Sequence, residues 1–382
     1  MTSDITSTDQ SAIPSPKDDA RKRQRTYQPA SQQSGVDTSV PEDLSSSEGE
    51  GQDPGSLGKR FKEPRTLASF AFAALIVYFV FDRLEIDPGD VWSKLKRANL
   101  LLLALAMVTF YSTFVIRAIR WKLMLERVGI DAEHGHPLPA LPGMVKIFIL
   151  SWFANCVVPA RLGDAYRSYL LKQHSKTSFG VGLGTILAER LIDLAVMVVM
   201  VLGAGVIVFG TQAPDRAEQA ALLGAAVMVI GVFGALMLFL LRERLERVIP
   251  DRFTHHFQKL HTGIFEILRR PFSYAGIGVL IWIGDGLRVY LVAKSLGVDL
   301  TIPESTVVSL LSALVTIVPF TPAGLGYVEA FMIWLLQELN VNAGTAAAIA
   351  ILDRLATYWS LILIGLPLYF INFRKDIKTD DA

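Results

Sequence analysis

The chain has 382 residues, 51% of them hydrophobic and 19% charged, and its formal net charge of +1 excludes the strongly basic balance of a nucleic-acid binder. A single cysteine, Cys156, excludes an intramolecular disulfide and any cysteine-cluster metal site. Because roughly the first sixty residues are almost wholly polar, the remainder must be far more apolar than a water-soluble domain.

Residues 1–62 are rich in Ser, Gln, Asp, Glu and Pro, with a basic run Arg21-Lys22-Arg23-Gln24-Arg25 and an acidic stretch at Glu48–Asp53. This composition predicts a disordered tail. It has no apolar centre of the kind a secretory signal carries, so the tail is expected to be retained on the cytoplasmic side. A solvated tail is the plainer reading of the basic run; a specific partner is the alternative.

Residues 63–374 read as a transmembrane domain, followed by a cytoplasmic C-terminal tail at 375–382. The expected fold is an all-α polytopic membrane protein with about six full spans and two re-entrant helical hairpins. Crossing a bilayer core takes about 20 apolar residues. Such stretches occur at Leu67–Phe81, which is short, and at Asn99–Ile116, Gly180–Gly210, Ala220–Leu241, Ser273–Leu296 and Thr345–Asn372. Lys and Arg resist translocation, so basic clusters mark the cytoplasmic side. They stand before the first span (Lys59, Arg60, Lys62, Arg65), after the second (Arg117, Arg120, Lys122, Arg127), after the fourth (Arg242, Arg244, Arg247, Arg252) and after the last (Arg374, Lys375, Lys378). Both termini are therefore expected in the cytoplasm, with the protein in the cell (plasma) membrane. The loop Asp82–Ala98 breaks the pattern with four cations, and its Val91-Trp92 pair suggests an interfacial helix whose cations snorkel.

Gly143–Leu171 and Glu304–Leu339 each combine an apolar run, a Pro-Gly break and a second apolar run, the pattern of a re-entrant hairpin. The first should enter from the cytoplasm and the second from outside. Within them, Pro159-Ala160-Arg161-Leu162-Gly163 recurs as Pro322-Ala323-Gly324-Leu325-Gly326. Glu189-Arg190-Leu191 follows the first motif's Gly163 by 26 residues, and Asp353-Arg354-Leu355 follows Gly326 by 27. Each triplet lies about 8 residues into its apolar segment, roughly 12 Å deep. Two motifs in register predict an internal repeat, inverted if the expected topology holds, which is how secondary transporters build a central site. Broken backbone at membrane depth survives only where protein or a watery cavity surrounds it. A helix restarting after such a break offers free N–H groups to an anion.

Charge within a span is costly and is a functional candidate by default. Here Glu189, Arg190, Asp193, Asp285, Arg288, Asp353 and Arg354 qualify, with Arg161, Asp164 and Arg167 at the first break and Glu329 at the second. Glu189 and Asp193 share a helix face, whereas Glu189 and Arg190 point about 100° apart and need partners elsewhere. The repeat suggests that Arg190 meets Asp353 or Asp164, and that Arg354 meets Glu189 or Glu329. Arg161, Arg167, Arg190 and Arg354 are candidates for a lipid head-group phosphate, because a guanidinium can bond two of its oxygens at once. Asp164, Glu189, Asp193, Glu329 and Asp353 are the candidate counter-ions or proton carriers, and Asp285 with Arg288 a secondary pair. The alternative is that these are buried pairs that only specify packing.

An enzyme reading finds little support. All six histidines, His134, His136, His174, His255, His256 and His261, are expected in cytoplasmic loops, away from the buried charges; His134 and His136 with Glu133 could touch a metal, although a solvated loop is the plainer account. No nucleotide-binding or other cofactor motif occurs. An intramembrane acid or base among Asp164, Glu189, Asp193 and Asp353 is the remaining catalytic option.

Arg117-x-x-Arg120-Trp121, Pro159–Arg167, Glu189-Arg190-x-x-Asp193 and Thr321-Pro322-Ala323-Gly324-Leu325-Gly326-Tyr327-Val328-Glu329 together resemble the flippase-like family related to the transmembrane region of lysylphosphatidylglycerol synthase. The resemblance covers about Leu67–Arg374. Family members usually have Pro-Gly-Gly where this chain has Pro322-Ala323-Gly324, so one glycine's backbone freedom is missing here. The resemblance implies translocation of a membrane lipid or lipid-linked head group. Its alternative is a non-transporting scaffold beside a lipid or glycan biosynthetic enzyme. Aminoacyl transfer is not implied, since nothing here corresponds to the soluble synthase domain of fused relatives.

Overall fold

A computed structural model describes residues 64–158, 162–209, 251–316 and 321–380. The expected tail at 1–62, the break residues Pro159 and Arg161 and the expected span Ala220–Leu241 lie outside them. The described residues are helical, with no strand among them. In chain order the helices are α1 (Pro64–Arg83), α2 (Pro88–Arg97), α3 (Leu100–Arg127), α4 (Leu141–Val157), α5 (Gly163–Ser175), α6 (Phe179–Phe209), α7 (Asp251–Leu268), α8 (Pro271–Ser295), α9 (Ile302–Val315), α10 (Tyr327–Glu338), α11 (Ala343–Arg354) and α12 (Ser360–Asp380). A 3-10 turn, Pro322–Gly324, precedes α10, and a π turn, Leu355–Trp359, joins α11 to α12.

Four helical stretches are long and apolar enough to cross a membrane: Leu100–Arg127, Phe179–Val208, Pro271–Ser295 and Ala343–Asn372. They coincide with four of the expected spans. The shortest expected span, Leu67–Phe81, lies on the 20-residue α1. The expected C-terminal tail at 375–382 begins inside α12, which continues to Asp380.

Lipid is the natural solvent for this surface. On α3 the inward stripe is Ala106, Phe110, Thr113, Phe114, Arg117, Ala118 and Trp121, while Leu101, Leu105, Val108, Val115 and Ile119 face out. An apolar outer face and a charge-bearing inner face reverse the usual order of a soluble helix. Start signals are local. Asn99 accepts the Leu101 and Leu102 N–H groups at 3.0 and 3.3 Å, Asn342 accepts that of Thr345 at 2.9 Å, and Thr301 with Glu304 forms a capping box at α9. Pro88, Pro271 and Pro303 sit in first turns, where a missing N–H costs nothing. On α2, Val91 is buried and Trp92 exposed with Lys96 lying 5.1 Å over its ring, the arrangement expected of an interfacial helix.

The two broken segments form helix–break–helix units. In the first, α4 packs on α5: the Ser151 hydroxyl donates to the Gly163 carbonyl at 2.7 Å, and the Gly163 N–H donates to Asn155 Oδ1 at 2.8 Å. A Cβ at position 163 would fall on the Ser151 carbonyl oxygen, so only glycine permits this approach. In the second, α9 packs on α10 and the turn between them runs through Ala323 at φ 47° and ψ 27°. Ala323 thus occupies the left-handed region that an alanine enters only at a cost of about 1–2 kcal/mol. Outside these units α3 packs on α8, α6 on α7, and α8 on both α6 and α9.

Candidate functional site

Each acid-Arg-Leu triplet divides its charges in the same way. On α6, Glu189 and Asp193 stand one turn apart and together clasp Arg120 of α3. Arg120 donates to Asp193 Oδ1 and Oδ2 at 2.6 and 2.9 Å and to Glu189 Oε1 at 2.9 Å. Glu189 also accepts from Arg167 of α5. That guanidinium is sandwiched between the rings of Trp121 (4.3 Å) and Phe148 (4.4 Å), and the Trp121 N–H donates to Thr185 at 3.1 Å. Arg120 is 0% exposed, Arg167 1% and Glu189 1%, so these three side chains are sealed, whereas Asp193 also borders a cavity. Arg190, on the adjacent face of α6, reaches Asp164 of α5 instead, donating from Nη2 at 2.8 Å and Nε at 3.2 Å.

In the second half Asp353 of α11 pairs with Arg288 of α8, and Arg354 Nε pairs with Glu329 of α10 at 2.8 Å. In each half, therefore, the triplet's acid meets an arginine on the long helix before the hairpin, and its arginine meets an acid in the first turn of the hairpin's second helix. The charge network extends further. Arg288 lies 3.8 Å from Asp285, whose other oxygen accepts from Arg117 Nη2 of α3 at 2.8 Å. Arg117 in turn sits 5.1 Å from Trp152 and 5.4 Å from Trp282, with its Nε buried and unbonded.

These elements surround a cavity of about 680 Å³ whose wall includes Arg117, Arg190, Arg288 and Arg354, Asp164, Asp193, Asp285 and Asp353, and apolar and aromatic side chains such as Phe110, Trp152, Trp282 and Tyr358. Both breaks border it, through Asp164 and through Thr321, Ala323 and Gly324. Among the described residues, cations and carboxylates on the wall are equal in number, which suits a ligand of low net charge. Two guanidiniums keep capacity to bind. Arg190 spends Nε and Nη2 on Asp164, and Arg354 spends Nε on Glu329 and a long 3.5 Å contact from Nη2 to the Gly324 carbonyl. The Nη1 of each has no hydrogen-bond partner among the described residues. Glu329 is also committed to its own helix start, accepting the Gly326 N–H at 2.7 Å.

Of the partner alternatives drawn from the repeat, the geometry selects Asp164 for Arg190 and Glu329 for Arg354. Asp285 and Arg288 join the central network and lie on the cavity wall. Arg167 and Glu189 are not on that wall; their cluster stands behind it. Pro322, Gly324 and Gly326 sit at the second break, and Gly326, at φ 94°, approaches Ala73 of α1 so closely that a Cβ would come within 2.8 Å of its carbonyl oxygen. Pro159 and Arg161 are outside the described residues.

Arg117 and Arg120 were expected among cytoplasmic flanking charges, and the structure corrects this. Both lie inside α3 on its buried stripe, which leaves Lys122 and Arg127 as that end's surface cations. The signal was available: Phe110, Phe114, Arg117, Trp121 and Met124 recur at three- and four-residue steps, so the apolar stripe runs through Arg117. His134 bonds Asp131 at 2.8 Å and holds that carboxyl below its ordinary range, and His136 bonds the Ser175 carbonyl. Among the described residues no three His, Cys, Asp or Glu side chains converge as a metal site.

Residues 66–365 match the family described as the lysylphosphatidylglycerol synthase TM region. A UPF0104 membrane protein of Methanocaldococcus jannaschii is 32% identical over 233 residues, which is 59% of this chain and 97% of that protein. One from Methanothermobacter thermautotrophicus is 25% identical over 313 residues, covering 74% of this chain and 88% of its own length. Glycosyltransferase AglD of Haloferax volcanii is 27% identical over 315 residues, 71% of this chain but 49% of that protein.

Proposed function

The chain belongs to the family of the lysylphosphatidylglycerol synthase TM region, and from that premise we propose that it is a flippase-like protein that binds and translocates a membrane lipid or lipid-linked head group. One observation supports this above the others. Arg190 and Arg354, the matching arginines of the two triplets, stand on the wall of one cavity with one Nη1 each left to bond. A cavity of about 680 Å³ is in the range of small-molecule sites and is large enough for a phosphodiester head group.

In this proposal Arg190 and Arg354 contact the phosphate while Asp164 and Glu329 hold their guanidiniums in place. Arg161, at the first break, is the further candidate contact. Asp193 and Asp353 are counter-ions that could exchange a proton as the site changes sides. Arg167 and Glu189 brace the wall from behind. The two halves are oppositely oriented in the cell membrane, with both termini cytoplasmic, so that rocking one half against the other exposes the cavity to each side in turn. Purified protein in liposomes should speed the flip of a labelled phospholipid. Arg190→Ala or Arg354→Ala should lower that rate at least tenfold with protein level unchanged.

The second reading, a non-transporting scaffold or accessory subunit for a lipid or glycan biosynthetic enzyme, is supported by AglD. A region similar to this chain makes up about half of a protein named as a glycosyltransferase. No acceleration with anionic, zwitterionic and polyprenyl lipids alike would favour it.

A further inference from the structure

A second cavity, of about 510 Å³, lies away from the central one, where the end of α3, the loop after it, the end of α5 and the start of α6 meet. Its wall includes Gly129, His136, Lys172, Lys176, Thr177 and Phe179, and none of these borders the central cavity. Carboxylates are absent from that wall, and neither lysine forms an ion pair among the described residues.

Three features give the pocket a definite chemistry. Lys172 and Lys176, one turn apart, both line it and bring two cations to it. The first N–H groups of α6, at Phe179, Gly180 and Val181, have no carbonyl partner within the helix and carry the positive end of a 31-residue helix dipole. Thr177, 8% exposed, lines the pocket with a side-chain hydroxyl that has no partner among the described residues.

The wall is also braced. His136 Nδ1 lies 3.0 Å from the Ser175 carbonyl, which can only accept, so Nδ1 carries the hydrogen and Nε2 remains available. The Ser175 hydroxyl donates to the Pro137 carbonyl at 2.9 Å, tying the loop onto the end of α5. Two cations, an unpartnered hydroxyl and a helix start, with no acid on the wall among the described residues, are the recurring parts of an oxyanion site.

We propose that this pocket is a second binding site, distinct from the central cavity, for a phosphate group. The phosphate belongs either to an anionic phospholipid seated at the membrane surface or to a soluble phosphate compound. Helix ends and unpaired lysines at one edge of a membrane domain suit the first source as well as the second, since anionic head groups attract such cations.

The test uses the full chain in detergent and two probes, phosphatidylglycerol followed by native mass spectrometry and inorganic phosphate followed by calorimetry. Wild-type protein should retain one more phosphatidylglycerol than phosphatidylcholine, or bind one inorganic phosphate, and Lys172→Gln/Lys176→Gln should weaken that binding about tenfold. Thr177→Val alters no charge and should weaken it severalfold, because it removes a built-in donor. Lipid retention that resists excess phosphate identifies the lipid as source; displacement by phosphate identifies the soluble compound. Binding of both probes unchanged in both variants overturns the site. So does a loss confined to the lysine pair, since diffuse surface charge or compensation of the α5 dipole then accounts for those residues. Arg190→Ala should leave this binding intact, which separates failure here from failure of the translocation proposal.

Discussion

Replacing Arg120 by Met tests whether the buried cluster holds α3 to α6. The side chain makes three hydrogen bonds to carboxylates, at 2.6, 2.9 and 2.9 Å, and is 0% exposed. Its loss leaves Glu189 with Arg167 and strips Asp193 of its cation, so one carboxylate stays buried and unpaired. Removing one partner of a buried pair costs about 3–5 kcal/mol, or about two to three and a half decades in the folding equilibrium. Met keeps an unbranched side chain of similar length beside Gly278, so the cost is mainly electrostatic. Arg120→Met/Asp193→Leu removes cation and orphan together and should cost less than the sum of the single variants, with a coupling of about 1–3 kcal/mol. Unfolding of the purified protein in mixed micelles, followed by tryptophan fluorescence, measures all four corners of the cycle. A cost below about 1 kcal/mol for Arg120→Met, or strict additivity, would refute the assignment of this cluster as a structural clamp.

The two breaks make opposite predictions about small residues. Ala323→Gly relieves a left-handed alanine and should stabilise the protein by up to about 1 kcal/mol, after the extra freedom of the unfolded glycine is counted, read as a higher unfolding midpoint. Gly163→Ala drives a methyl into the Ser151 carbonyl and should cost more than about 2 kcal/mol, lowering the same midpoint. Thr301→Ala removes half of the capping box at α9 and should cost about 1 kcal/mol. In the transport assay, Glu329→Gln should lower the flip rate by less than Arg354→Ala does, because the guanidinium survives while losing its anchor.

Periodicity and hydropathy alone located four membrane-length helices, both breaks and the two triplets, because each is a property of a short stretch read against its own neighbours. The same logic showed that Glu189 and Asp193 share a face that Arg190 does not, since helix geometry fixes angles within one segment. Which arginine meets which acid is a matter between segments. Sequence left Arg190 two partners and Arg354 two; packing of α5 on α6 and of α10 on α11 reduced each pair to one. Arg117 and Arg120 were misplaced for a related reason. A cation near the end of an apolar run looks like a cytoplasmic flank until a neighbouring helix supplies the carboxylates that make its burial tolerable. Ala323 shows the same division, because the sequence marks a missing glycine but only the chain path reveals that its φ is positive. The two broken segments and their repeated sequence motif were therefore legible from residue order, whereas the central cavity and the pocket beside α6 exist only once distant segments close around them, because charge pairing and enclosed volume depend on the distances between segments.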